Sequence, residues 1–377
     1  MSRRETMLQG DVAAAVQEAR ANLAASGERV NQVLKAFWEA KSTAWHGFPE
    51  IIRGAFRAYD QMTSSGKKIR AGLVILGFEA CRSARTLEPA DPDGIYRAAG
   101  SVEILHNAFL IHDDIVDNSD LRRSVATVHR QYAELHRERF VSEEQALSYG
   151  RAVALNFGDK GQALAQELLL SSGFPSEVLL PAINLLSRTT ADTVAGQLLD
   201  VSNVPLAELS EEVVLQIHEF KTAHYTVMLP LQMGAVLAHA KEDTVARIRD
   251  YALPIGIAFQ IQDDILGLYG EERVLGKPVD SDVREGKKTL LMAHAYEAST
   301  AAQREVLARA HGNEALTADD LDEVRQIVRE TGALARSEAL ARELVERGRP
   351  MIAEITEHES WRRVLVGLAE YLILRRY

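Results

Sequence analysis

Apolar side chains recur every three to four residues along almost the whole chain, the period of a helix with one buried face. The stretch "DVAAAVQEARANLAASGERVNQVLKAFWEA" reads as one amphipathic helix, or as two with the break at Gly27. "KKIRAGLVILGFEACRSA" follows Gly66 with the same period. "DGIYRAAGSVEILHNAFLIHDDIVDN" reads as one long helix, apolar enough over most of its length to be buried on several sides. "EVLLPAINLLSRTTADTVAGQLLDV", "EVVLQIHEFKTAHYTVMLPLQMGAVLAHA" and "TVARIRDYALPIGIAFQIQDDILGLYG" continue the pattern, and the tail from about Asp319 adds two or three helices. Loops are expected at Leu87–Asp93, Ser202–Ser210 and Glu271–Lys288. Alternation of β-branched residues is nearly absent, so almost no strand is expected. No Pro/Gly/Ser-rich linker divides the chain. The pattern predicts an all-α fold, a single domain over residues 1–377 built as a bundle of ten or more helices.

Composition narrows the function classes. Apolar residues make up 46% of the chain, enough for a large core, while aromatics are only 6%. The net charge of −11 excludes a general nucleic-acid binder. Anions must instead be held locally, by placed Lys and Arg. The lone Cys81 has no internal disulfide partner and fits a reducing compartment. The N-terminus lacks the apolar core of a signal peptide. No apolar run reaches the roughly 18 residues that span a bilayer. The expectation is a cytoplasmic chain without an integral membrane segment.

The densest chemistry lies in "HDDIVDNSDLRR", residues 112–123. Residues four apart share a helix face, so Asp113 and Asp117 project together, with Asp114 at the edge. An oxygen-only set without His or Cys suits Mg²⁺, which keeps waters and is often completed by phosphate oxygens. A solvated helix end would also explain one such pair. The buried run "ILHNAFLI" before it argues for a cation, because unpaired acids there are costly. "GIAFQIQDDILGLYG" repeats the theme with Asp263, Asp264 and, one turn upstream, Gln260. Two such helices facing each other would form a carboxylate-lined mouth on an apolar cavity, suited to Mg²⁺, a pyrophosphate and a greasy tail. Basic residues complete the set. Lys67 and Arg70 stand at a helix start, where anions bind readily. Arg122 and Arg123 follow the first acidic run. Lys221 lies in an apolar helix, and Lys277, Lys287 and Lys288 lie in a loop able to close over a site.

Together these segments resemble the trans-isoprenyl diphosphate synthase (polyprenyl synthetase) family, from about Gly66 to Lys288, within a motif-bearing core at about 60–290. "SGKKIR" is similar to GGKRxRP, with Ser65, Lys68 and Ala71 as departures. "HDDIVDNSDLRRS" resembles the first aspartate-rich motif and its RRG tail, with Ser124 for Gly. "GQLLD" and "FKTA" match two further segments. "FQIQDDILG" resembles the second aspartate-rich motif, with Gly267 where the last Asp usually stands. "GKPVDSD" and "GKKT" resemble the closing lysine segment, with Asp280 near the usual Gly.

The resemblance implies an isoprenoid synthase-like bundle around a central cavity. It implies three Mg²⁺ per active site, with Asp113 and Asp117 ligating two on the allylic diphosphate and Asp263 the third. Asp282 and Gln260 would support that third ion. Arg122, Lys221 and Lys277 would grip the allylic diphosphate and complete the catalytic set. Lys67, Arg70, His106 and Arg123 would hold isopentenyl diphosphate. Thr222 and Gln260 would line the reacting end, and Lys287 would join the substrate contacts. Arg375 and Arg376 resemble a basic tail that folds towards the site. The implied reaction condenses isopentenyl diphosphate with an allylic diphosphate (dimethylallyl, geranyl or farnesyl) in a homodimer.

Each helical turn above Asp113 is about 5.4 Å deeper, roughly one extended isoprene unit. Phe109, four residues before Asp113, would narrow the cavity, while small Ala108 would leave room beside it. That predicts a C20 product, geranylgeranyl diphosphate, over C15 or longer chains. A class I terpene cyclase has no use for Lys67 and Arg70. A non-catalytic partner subunit tends to lose the aspartates kept here.

Overall fold

The computed structural model describes residues 3–135, 137–270 and 281–373. The helices are α1 (Arg3–Ala44), α2 (Glu50–Ser64), α3 (Ile69–Cys81), α4 (Gly94–Val116), α5 (Val128–Leu135), α6 (Glu143–Leu170) and α7 (Ser176–Asp200). There follow α8 (Glu211–Ile217), a π-helix (His218–Met228), α9 (Leu229–Leu237), α10 (Glu242–Tyr269) and α11 (Ser281–Arg284). The chain continues with α12 (Leu290–Ala298), α13 (Ala301–Ala310), α14 (Ala318–Glu330), α15 (Ala333–Gly348), α16 (Ile352–Ile355) and α17 (Glu359–Ile373). Among the described residues the only strands are β1 (Leu121–Arg122) and β2 (Val125–Ala126), a two-residue antiparallel hairpin. The all-α expectation holds. Among the described residues no helix is long and apolar enough to cross a membrane.

Of the two readings of the N-terminal segment, a single helix is found: α1 runs unbroken through Gly27, which faces Lys68, whose Cβ lies 3.3 Å from where a Cβ at 27 would stand. Two local expectations are corrected. The expected regular helix around "FKTAHY" is a π-helix, a wider winding that often marks functional segments. The expected loop 271–288 contains the helical turn α11.

The helices gather into two compact groups. One comprises Ala21–Asn184 with Met233–Ala240. In it α4 packs on α3 and α6 through fully buried Leu73, Ile104, Leu105, Ile111, Leu168 and Leu169. Each such side chain contributes about 1.5–3 kcal/mol of apolar burial. Buried Glu103 ties the start of α3 to α4 by accepting from the Ala71 backbone N–H at 3.1 Å. The other group includes Leu185–Gln232 and the described residues after Lys241. Its axis is α10, against which the π-helix packs so closely that a Cβ at Gly256 would lie 2.8 Å from the Ala223 Cα. Tyr251 of α10 donates to the Leu365 carbonyl of α17 at 2.6 Å.

Candidate functional site

In the first group, α4 ends at Val116 with Asp117 as its C-cap and Asn118 turned to φ 52° beyond it. The Asp117 N–H donates to the Asp113 carbonyl at 2.8 Å, so the two aspartates are one turn apart. Three acids thus stand at the negative end of a helix, a placement that a cation relieves. The adjacent pair splits its duties. Asp114 is buried, accepting from Arg122 Nε at 2.7 Å, with Nη2 at 2.6 Å. Burial raises its carboxyl to about 6, against the opposing pull of Arg122. Asp113 keeps 21% of its side chain exposed, 3.5 Å from Arg122. Burial works against the Arg122 charge, but Asp114, Asp113 and Asp117 more than offset it and hold its pKa above the ordinary value.

The β1–β2 hairpin explains the two adjacent arginines. Its two-residue turn is Arg123–Ser124, both in the left-handed region at φ 52° and 63°. The turn sends Arg122 to Asp114 and Arg123 the other way, where its Nη1 donates to Ser65 Oγ at 3.0 Å. Beside it, Lys68 caps α3 from a left-handed conformation and donates to the Ser65 carbonyl. Lys67 is exposed, Arg70 part-buried and His106 buried. Burial, then the neighbouring charges of Arg70, Arg123, Arg122 and Lys68, hold His106 well below its usual pKa, so it is neutral. Burial and Arg122 likewise lower Arg123, against Glu103. Cations crowded from α3 and the hairpin around a neutral imidazole of α4 are the chemistry that suits an anion. The sequence gives no role to Asp114, which it places at the edge of the acidic face, or to Lys68, and offers no signal for Glu103.

The second group holds the second cluster. Lys221 of the π-helix pairs with Asp200 at the end of α7, Nζ to Oδ2 at 2.5 Å. Lys288 donates to the Asp200 carbonyl, so Lys288 rather than Lys287 joins this pair. Burial lowers Lys288, with Asp200 opposing. Lys287 instead lies 3.0 Å from Glu285 and 3.8 Å from Asp282. Thr222 donates to Gln260 Oε1 at 2.9 Å, and Gln260 Nε2 donates to Asp264 Oδ1 at 2.7 Å. His218 Nε2 stands 3.0 Å from the other Asp264 oxygen. Again the second aspartate is the buried anchor, while Asp263 remains part-exposed. Asp282 is buried against α10.

The donors fit Mg²⁺. Among the described residues no three metal-binding side chains converge on one point. Asp113 and Asp117 offer carboxylate oxygens alone, and Mg²⁺ ordinarily completes its octahedron with water and phosphate. Lys277, Arg375 and Arg376 lie outside the described residues. The two chain-length candidates are placed differently. Ala108 is fully buried on the side of α4 facing α6, its Cβ 2.9 Å from where a Cβ at Gly161 would stand. Phe109 is the first residue along α4 after the buried run 98–108 to reach the surface.

The chain is similar in sequence and fold to known proteins. The polyprenyl synthetase family model matches residues 54–329. Geranylgeranyl diphosphate synthase of Saccharolobus solfataricus is 31% identical over 322 residues, covering 85% of this chain and 89% of that relative. (2E,6E)-Farnesyl diphosphate synthase of Mycobacterium bovis is 32% identical over 314 residues, covering 82% of this chain and 80% of the relative. The crystal structure of geranylgeranyl pyrophosphate synthase from Corynebacterium glutamicum, complexed with isoprenyl diphosphate and magnesium, aligns with a TM-score of 0.88 at 29% identity, over 94% of this chain and 99% of that one. With the family model matched over residues 54–329 and relatives at 31% and 32% identity over more than four-fifths of the chain, the chain belongs to the polyprenyl synthetase family, the trans-isoprenyl diphosphate synthases.

Proposed function

We propose that this protein is an Mg²⁺-dependent prenyltransferase that condenses isopentenyl diphosphate with allylic diphosphates and releases chiefly C20 geranylgeranyl diphosphate. One observation carries the reading. Two unlike anion sites lie along α4: a carboxylate face at its C-terminal end, Asp113 and Asp117, and, around its neutral His106, a cation cluster brought by Lys68 and Arg70 at the start of α3 and Arg123 of the hairpin turn. A carboxylate face takes a diphosphate only through metal ions; a cation cluster takes one directly. Two diphosphate substrates need two such sites. The names of the Saccharolobus and Corynebacterium relatives support C20.

In this reading Asp113, Asp117 and Asp263 hold Mg²⁺, three ions by resemblance, with Asp282 and Gln260 in support. When bound there, Mg²⁺ would supply Lewis-acid charge neutralisation for a pyrophosphate leaving group. Arg122 is fixed by Asp114 and Lys221 by Asp200, and the resemblance assigns the charge of each to the allylic diphosphate. Lys277 is assigned to the same diphosphate by resemblance alone. Lys67, Arg70, His106 and Arg123 orient isopentenyl diphosphate so that its double bond attacks the allylic carbon as the C–O bond breaks. Thr222 and Gln260 fix polar oxygens near the reacting carbons. The proton lost after attack passes to the departing pyrophosphate. The protein acts as a homodimer, a reading supported by exposed Leu180, Val194 and Leu198 along α7, at 64%, 48% and 65% exposure.

The test is incubation with Mg²⁺, dimethylallyl diphosphate and labelled isopentenyl diphosphate, then chromatography of the products and sedimentation of the enzyme. Asp113→Ala is expected to cut turnover by at least on the order of 100-fold with Tm unchanged. A folded variant with near-wild-type turnover removes the metal assignment. A C15 or longer main product replaces the C20 reading, and a monomer that turns over removes the dimer.

A further inference from the structure

The second acidic run ends in glycine, four residues and one turn after Asp263 on α10. The space above that glycine is filled. A methyl carbon at Gly267 would overlap Oδ2 of Asp282 and lie 3.1 Å from its Cγ. Asp282 is 9% exposed and stands in the short helical turn α11.

The seat of Asp282 is built largely by main chain. Its carbonyl accepts from the Lys287 N–H at 2.9 Å, and the Ser281 carbonyl accepts from the Glu285 N–H at 2.8 Å. Gly286 leaves the turn at φ 68°, and the Val283 carbonyl accepts from the Gly312 N–H at 2.9 Å. The two carboxylate oxygens face different ways. Oδ1 receives Ser281 Oγ at 3.4 Å and has Lys287 Nζ at 3.8 Å. Oδ2 is the atom laid against the α10 backbone at Gly267.

We propose that Gly267 is a positioning residue: its bare backbone makes the seat for the Asp282 carboxylate, which occupies the volume that a side chain at 267 would fill. The carboxylate absent from the second acidic run is thereby supplied from α11. This rests on the reading of Asp263 as a ligand for Mg²⁺ on pyrophosphate. Gly267 and Asp282 then act as one unit. Any Cβ at 267 displaces Asp282, because closely packed atoms have no slack for an extra carbon. An aspartate there adds a second negative charge at contact distance. Writing the aspartate back into the motif therefore harms the enzyme, and moving the carboxylate from 282 to 267 repairs it.

The experiment compares wild type, Gly267→Asp, Asp282→Gly, the double variant Gly267→Asp/Asp282→Gly, and Asp282→Asn. Two quantities are read: the rise in Tm caused by Mg²⁺ with inorganic pyrophosphate, where no turnover occurs, and the Mg²⁺ concentration that half-saturates prenyl transfer. Gly267→Asp, Asp282→Gly and Asp282→Asn are each expected to lose most of the Tm rise and to need on the order of ten- to a hundredfold more Mg²⁺. The double variant is expected to recover most of both. Asp282→Asn keeps the shape of the side chain, so its loss is read even where Gly267→Asp fails to fold. A wild-type response in Gly267→Asp or Asp282→Asn, or a double variant no better than its parents, overturns the proposal. A wild type with no Tm rise on Mg²⁺ and pyrophosphate overturns the prenyltransferase reading itself, and the proposal with it.

Discussion

Ser124 stands at φ 63°, next to Arg123 at 52°, in a turn whose two central residues both require positive φ. Left-handed backbone costs an L side chain about 1–2 kcal/mol, and glycine avoids that at some loss of unfolded-state freedom. Ser124→Gly is therefore expected to stabilise the hairpin by about 0.5–1 kcal/mol and to slow hydrogen exchange of its amides about two- to fivefold. Unchanged exchange would mean that Ser124 is not strained. The single-residue view also marks where sequence stops informing. The spacing of Asp113 and Asp117 was legible because four residues make one helical turn. Which aspartate of each adjacent pair turns inward was not legible. Asp264 faces His218, 46 positions away, and Asp114 meets Arg122, eight positions on, only because the hairpin turn folds that arginine back; helix spacing announces neither pairing. Lys287 and Lys288 are neighbours too, and only the fold gives Asp200 to the second.

At the scale of elements, α4 was legible almost to its last residue, since its apolar run and the Asp117–Asn118 end mark its length. Its rotation was not. A helix buried on several sides has little amphipathic bias, so sequence does not say which of Ala108 and Phe109 meets α6. The structure puts Ala108 into the α4–α6 contact at Gly161 and leaves Phe109 part-exposed one turn before Asp113. Ala108→Phe is accordingly expected to disturb packing rather than shorten the product, with a stability loss of about 1–3 kcal/mol or more by denaturant unfolding. Phe109→Ala is expected to shift the product towards longer chains on chromatography. A stable Ala108→Phe enzyme that makes a shorter product would place Ala108 back in the cavity. The π-helix escaped sequence reading because its side-chain pattern differs little from that of an α-helix over a few turns.

For the molecule as a whole, helical content was legible from periodicity, whereas the gathering of Met233–Ala240 with Ala21–Asn184 depends on long-range packing that no local window contains. Titration is a property of the same scale, and its sign can be worked out. Burial lowers His129 from 6.5 to about 4, with Arg130 and Arg151 adding to the effect. Burial also lowers His294, although Glu211 pulls the other way, and His311, with Lys288 adding. Above pH 6.5 these rings are neutral both folded and unfolded, and stability does not depend on them. As pH falls through 6.5 the unfolded chain binds protons that the folded chain refuses, so stability drops. The slope approaches about 1.4 kcal/mol per pH unit for each fully excluded ring. For His129 the loss runs on until about pH 4, where the folded ring accepts its proton. The expected outcome is a steady fall in Tm between pH 7 and pH 5, by roughly 3–6 °C, above the range where ordinary carboxylates titrate. His129→Gln is expected to make that fall shallower. Asp114, raised to about 6, takes up a proton in the same window and offsets part of the fall. A Tm that stays level from pH 7 to pH 5 in both wild type and His129→Gln would show that His129 is not held neutral.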